Sequence, residues 1–100
     1  MSRKDLFLTP GCYGKLRAND DLVIALAGIV NSPGKTVYQI MQDANLVRKP
    51  IECAHLTTAL KSYNLIRRIP GRTALYSVNP VYAYAINEAL RILLPEVKYV

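Results

Sequence analysis

The clearest pattern in the chain is Leu22–Val30, nine consecutive positions with no charged or strongly polar side chain. Asn19 and Asp20 before it are good N-cap residues, and Asp21 suits the positive end of a helix dipole. The run therefore predicts a helix that is apolar all round and buried on most sides. Asn31-Ser32-Pro33-Gly34 ends it in a turn. Thr36 then caps a second helix, Val37 to Ala44. Its Val37, Ile40, Met41 and Ala44 recur at helical spacing, leaving Tyr38, Gln39 and Gln42 on the other side. Asn45 stands where this helix must stop, and asparagine tolerates the left-handed conformation that closes a helix. Leu46 and Val47 are expected to anchor the turn in the core. Pro50 suits the first position of a third helix, Pro50 to Tyr63. Cys53, Leu56, Thr57 and Leu60 form its inner side. Ile51, His55, Thr58 and Ser62 form its outer side, flanked by Ala54 and Lys61. Asn64 repeats the role of Asn45.

The period then changes. Leu65–Ile69 and Ala74–Val78 are rich in β-branched and aromatic residues and predict two strands. Between them Pro70-Gly71 has the residue preference of a type II turn. Asn79-Pro80 opens a last helix, Val81 to Leu94, stopped by Pro95. Tyr84, Asn87, Glu88 and Arg91 share one arc of about 100°, and the remaining circumference is apolar. That arc is wider than one face of a small core covers. It predicts a homodimer interface made by Tyr82, Ala85, Ile86, Ala89, Leu90 and Leu93. The alternative is that residues 1–18 fold back over the helix. Those residues, with a turn signal at Pro10-Gly11, are expected as an arm or as a segment packing across a partner. The domain proper is then 19–100.

Length and composition narrow the classes. One hundred residues make one domain, and 51% hydrophobic with 20% charged residues is ordinary globular composition. No run is long enough to span a membrane, and no signal-peptide pattern is present, so a cytoplasmic location is expected. Cys12, Cys53 and the single His55 fall short of a metal-ligand set, so no metal or other cofactor is expected. Phosphate-loop, nucleophile-elbow, zincin and dinucleotide motifs are all missing, so no enzyme is expected. Cys53 and His55 lie two apart on a helix and point in different directions. The net charge of +6 is unevenly spread. Residues 48–72 hold Arg48, Lys49, Lys61, Arg67, Arg68 and Arg72 against Glu52 alone, a balance of +5. A focused positive field suits a polyanionic partner.

The elements run helix, helix, turn, helix, hairpin, helix: mainly α with a small β-hairpin. Within the stretch from Thr36 to Pro80, Asn45-Leu46 stands at the turn, "LKSYNLI" ends the third helix, and "GRTALYSVNP" forms the hairpin exit. This order and spacing resembles the winged helix-turn-helix regulators of the ArsR and MarR type. Asparagine replaces their usual glycine at 45 and 64. The clustered cysteines or histidine–acid pairs of metal-sensing members are missing, so metal sensing is not implied. The resemblance implies a winged helix-turn-helix fold with an added C-terminal dimerisation helix (80–94). It also implies a homodimeric, sequence-specific DNA-binding regulator, a repressor, associated with the nucleoid.

Physical reasoning assigns the surface. Helix 50–63 fits a major groove, and residues near its N-terminus reach base edges. Ile51, Ala54, His55, Thr58 and Lys61 form that face, with Ala54 and the Thr58 methyl against thymine methyls. His55 and Lys61 serve as hydrogen-bond donors. Arg48, Lys49, Thr36 and Tyr38 are expected to meet phosphates. Arg72 at the tip of wing 65–78 meets the backbone or minor groove, with Arg67 and Arg68 behind it. Glu52 either pairs with Lys49 or accepts from a cytosine. Two alternatives stay open: a protein-interaction winged-helix module of a larger assembly, and a DNA-binding component of a plasmid or viral replication apparatus.

Overall fold

In the computed structural model, which describes residues 8–73 and 75–98, the apolar run becomes the axis of the molecule. Helix α1 is Pro10–Arg17, α2 Asp20–Asn31, α3 Val37–Asp43 and α4 Pro50–Ser62. Strands β1 (Ile66–Arg68) and β2 (Tyr76–Val78) follow. A 3₁₀ turn (Pro80–Tyr82) leads into α5 (Ala83–Leu93), and a second one (Leu94–Glu96) ends the fold. Leu22 to Ala27 and Ile29 are each at most 8% exposed. Helix α2 can be buried on nearly every side because α1, α3, α4, β2 and α5 all pack on it. Its start is closed by Asn19, whose carboxamide oxygen accepts the Asp21 N–H at 3.1 Å. Gly28 sets the α2–α3 approach: a Cβ there would lie 2.2 Å from Ile40 Cγ2.

The two asparagines end their helices in the same way. Asn45 and Asn64 both have φ of 61°. At the first, Leu46 N–H donates to Met41 O (2.9 Å) and Asn45 N–H to Gln42 O (3.0 Å). At the second, Leu65 N–H donates to Leu60 O (3.2 Å) and Asn64 N–H to Lys61 O (2.9 Å). Both are Schellman closures, in which one left-handed residue lets the chain satisfy its last carbonyls and turn away. Leu46 packs against the core as expected. Val47 does not: it is 94% exposed. Once the Schellman turn seats Leu46, the next residue in extended conformation points the other way.

The hairpin is antiparallel, with Ile66 opposite Val78, Arg67 opposite Ser77 and Arg68 opposite Tyr76. Gly71 has φ of +75° and Arg72 N–H donates to Ile69 O at 3.1 Å, as a type II turn requires. Ala74 lies outside the described residues. Asn79, 5% exposed, joins three elements. Its Nδ2 donates to Asn64 O (2.8 Å), its Oδ1 accepts from Val81 N–H (3.1 Å), and its own N–H donates to Leu65 O (2.9 Å).

Two expectations are corrected here. Residues 10–17 form α1, not an arm. Thr9 Oγ1 accepts the Cys12 N–H at 3.3 Å, Leu16 is 0% exposed, and the Lys15 ammonium lies 5.3 Å from the Tyr63 ring centre. The radius of gyration, 12.7 Å, matches the ~13 Å of a single 100-residue domain. Leu6 and Phe7 lie outside the described residues.

The second correction concerns the apolar arc of α5. Ala85, Ile86, Ala89, Leu90 and Leu93 are 1, 0, 4, 8 and 2% exposed, and Tyr82 is half-buried against the same core. They are buried within the chain: α5 packs on α2 and on the two 3₁₀ turns that flank it, with Leu8 and Tyr13 near Ala85 and Ala89. The arc is wide because the fold meets it from more than one side, so the five buried residues offer no surface to a second copy and Tyr82 offers only part of its own. Among the described residues, no helix is long and apolar enough to cross a membrane.

Candidate nucleic-acid interface

Helix α4 is built to show one face. Cys53, Leu56 and Leu60 are buried at 4, 8 and 0% exposure, and the Thr57 hydroxyl donates back to Cys53 O at 3.0 Å. The opposite side carries Ile51, Ala54, His55, Thr58 and Lys61, all exposed. Those five sit at i, i+3, i+4, i+7 and i+10, the spacing of one helical stripe. The helix starts at Pro50, and Glu52 Oε2 accepts the Lys49 N–H at 3.0 Å. This capping contact accounts for Glu52 without a base, and its donor is the Lys49 backbone amide, not the ammonium.

The cations around α4 divide into two groups. Arg48 is held by Asp21 on α2, with Nε 2.7 Å from Oδ2 and Nη2 3.1 Å from Oδ1. Both side chains are about one-fifth exposed. A two-pronged, partly desolvated contact of this kind fixes the guanidinium toward the core side, so Arg48 is spoken for as a tie between α4 and α2. Lys49, Lys61, Arg67, Arg68 and Arg72 are exposed.

The hairpin register sorts its arginines. Opposed residues share a face and successive ones alternate. Arg68, Tyr76, Ile66 and Val78 therefore lie on one face, and Arg67 with Ser77 on the other. Ile66 is 4% exposed, so the first face is the one that meets the body of the protein. Tyr76 leans toward α4, where the Lys61 ammonium lies 5.6 Å from its ring centre. Arg68 Nε donates to Arg72 O at 3.3 Å, bracing the tip. The structure thus brings Lys61 and Arg68 to the Tyr76 side of the hairpin, leaves Arg72 exposed at the tip, and places Arg67 on the other face.

A groove of about 290 Å³ runs between the start of α3, the outer side of α4 and Tyr76, lined by Thr36, Tyr38, Ala54, Thr58 and Lys61 among others. Thr36 contributes less than its position suggests. Its Oγ1 accepts the Gln39 N–H (3.2 Å), while Gln39 Oε1 accepts the Thr36 N–H (2.9 Å), so the hydroxyl is occupied by a capping box. Tyr38 is 40% exposed. Tyr76 belongs to this groove and was not among the expected residues. Its signal was the cross-strand register with Arg68, which the sequence alone does not fix.

Elsewhere the chemistry is quiet. Burial pushes the Cys12 and Cys53 thiols up, Glu52 adding to the effect at Cys53. That disfavours the reactive thiolate. Both cysteines are free, and among the described residues no cluster of three His, Cys, Asp or Glu side chains could hold a metal ion. Asp20 Oδ2 accepts the Lys98 N–H at 3.3 Å, so Asp20 and Asp21 each have a structural partner. The chain matches no family model, no curated protein and no solved structure.

Proposed function

We propose that this chain is a winged helix-turn-helix protein that binds double-stranded DNA. Helices α3 and α4 are the helix-turn-helix, α4 enters the major groove, and the β1–β2 hairpin is the wing. One observation carries the reading: an exposed helical stripe ending in Lys61, whose neighbouring acid is tied up in a cap, beside a hairpin that carries exposed Arg68 and, at its tip, Arg72. A helix fits the major groove, and cations on either side meet the phosphates that fix its register. Arg67, on the far face of the wing, and Lys49, at the helix start, extend the same positive field. The regulator is read as a repressor that acts by occupying its site. If it acts as a homodimer, the large hydrophobic residues left exposed on α5 and the 3₁₀ turn before it are Tyr84 and Ile92, at 57 and 46%, and Val81, at 51%.

Mobility shifts on random-sequence duplexes at rising salt test the reading. Affinity should fall steeply, and Lys61→Ala with Arg72→Ala together should flatten the salt slope by about 2. No shift even at low salt, or a double variant indistinguishable from the parent, rules the interface out.

A further inference from the structure

The DNA reading says that α4 enters a groove; the side chains it presents also say which bases it prefers there. We infer that α4 recognises the C5-methyl groups of thymine, through Ile51 first and Ala54 and Thr58 behind it. The preferred sites are then A·T-rich, with thymines in the contacted major groove. This inference rests on the DNA-binding reading.

It follows from what the outer face of α4 holds and lacks. Ile51 is 62% exposed in the first turn of the helix. Ala54 and Thr58 continue the stripe, both exposed. Single exposed apolar residues are ordinary, but here they run together at the end of the helix that reaches base edges.

Guanine is read by arginine or lysine, adenine by asparagine or glutamine, and cytosine by a carboxylate. The face carries no arginine, asparagine or glutamine. The nearest arginine, Arg48, is held by Asp21 at 2.7 and 3.1 Å. The one carboxylate, Glu52, accepts the Lys49 N–H. Lys61 lies in the last turn, beside the Tyr76 ring. His55 is the one hydrogen-bonding side chain left between Ile51 and Thr58. What remains at the entering end is hydrocarbon, and the only hydrocarbon that a base pair displays in the major groove is the thymine methyl. Salt-dependent contacts from Lys49, Lys61, Arg68 and Arg72 would supply affinity, and the methyls would supply the preference.

Uracil removes that methyl and leaves every hydrogen-bonding group of the pair in place. The test compares equal-length duplexes of alternating A·T, alternating A·U and alternating G·C, with the parent protein and with Ile51→Ala. The parent should bind A·T more tightly than A·U, by about fourfold for each methyl buried. Ile51→Ala should lose most of that difference, its affinity for A·T falling toward its affinity for A·U. Its melting temperature should be unchanged, because the side chain is exposed. Equal affinity for A·T and A·U overturns the inference. So does a difference that survives intact in Ile51→Ala, since the cause would then be duplex shape. In either case, salt-dependent binding to all three duplexes would leave the DNA-binding reading standing; binding to none would end both.

Discussion

Helices α4 and α5 are similar objects in sequence: each follows a cap position and a proline, at Pro50 and Pro80, each runs about three turns, and each carries an apolar inner side. The fold uses them in opposite ways. Five apolar residues of α5 are at most 8% exposed, whereas α4 holds Ile51 out at 62%. The difference lies in the neighbours. Helix α5 packs on α2 and on the two 3₁₀ turns that flank it, while α4 is covered on its inner side alone and leaves the other to solvent. Periodicity shows how wide an apolar arc is. What covers the arc depends on how many elements the rest of the chain can bring to it.

The largest effects should therefore come from α5 and from α1. Ile86→Ala and Leu16→Ala each remove a side chain that is 0% exposed, and each should cost about 2–5 kcal/mol. Against a total of about 5–15 kcal/mol for a small domain, either variant would be marginal. Denaturant melts at equal m-value measure this directly. A Leu16→Ala variant as stable as the parent would mean that α1 is not an integral layer of the fold.

The core and the turns were legible because local chemistry fixes them. The capping oxygens of Asn19, Thr36 and Asn79 are each bonded where the sequence places them. Asn45 and Asn64 close their helices with nearly identical backbone geometry, although neither is glycine. Helix α1 was missed for an instructive reason. Pro10-Gly11 carries a turn signal, but Thr9-Pro10 is the same cap-then-proline pattern that opens the last helix at Asn79-Pro80. Gly11 and Gly14 lower its intrinsic propensity, so the helix relies on Leu16 and its packing to form. At the interface, the stripe on α4 was readable from spacing. Two facts were not: the capture of Arg48 by Asp21, across 27 positions, and the placing of Tyr76 beside Lys61, which depends on strand register.

An intermediate effect sharpens the division between structural and DNA-facing cations. Asp21→Ala breaks the contact with Arg48 and should destabilise by about 1–2 kcal/mol, the range for a charge-assisted hydrogen bond in a partly exposed pair. It should also loosen the guanidinium beside the start of α4, which keeps its bond to Val47 O. Affinity for random-sequence duplex should then rise modestly at low salt, with a steeper salt slope, even as the melting temperature falls. Stability and DNA affinity moving in opposite directions would be hard to explain if Arg48 already met phosphate in the parent protein. If both fall together, Arg48 belongs with Lys61 and Arg72 after all.

The smallest effects should lie on the exposed faces of the same two helices. Ile51→Ala and Tyr84→Ala each trim a side chain that is more than half exposed, so each should change stability by about 0.5 kcal/mol or less. For Ile51 the change should appear only in DNA binding. Tyr84, at 57% exposure, separates two states of the protein. In a monomer its truncation is silent at every protein concentration. In a dimer packed through Val81, Tyr84 and Ile92, the parent's melting temperature rises with protein concentration, because association stabilises the folded form by mass action. Tyr84→Ala should then flatten that dependence while leaving the dilute melting temperature where it was. A concentration-dependent melt that Tyr84→Ala leaves untouched would place any self-association on a surface other than α5, and the two helices would differ in burial without differing in partnership.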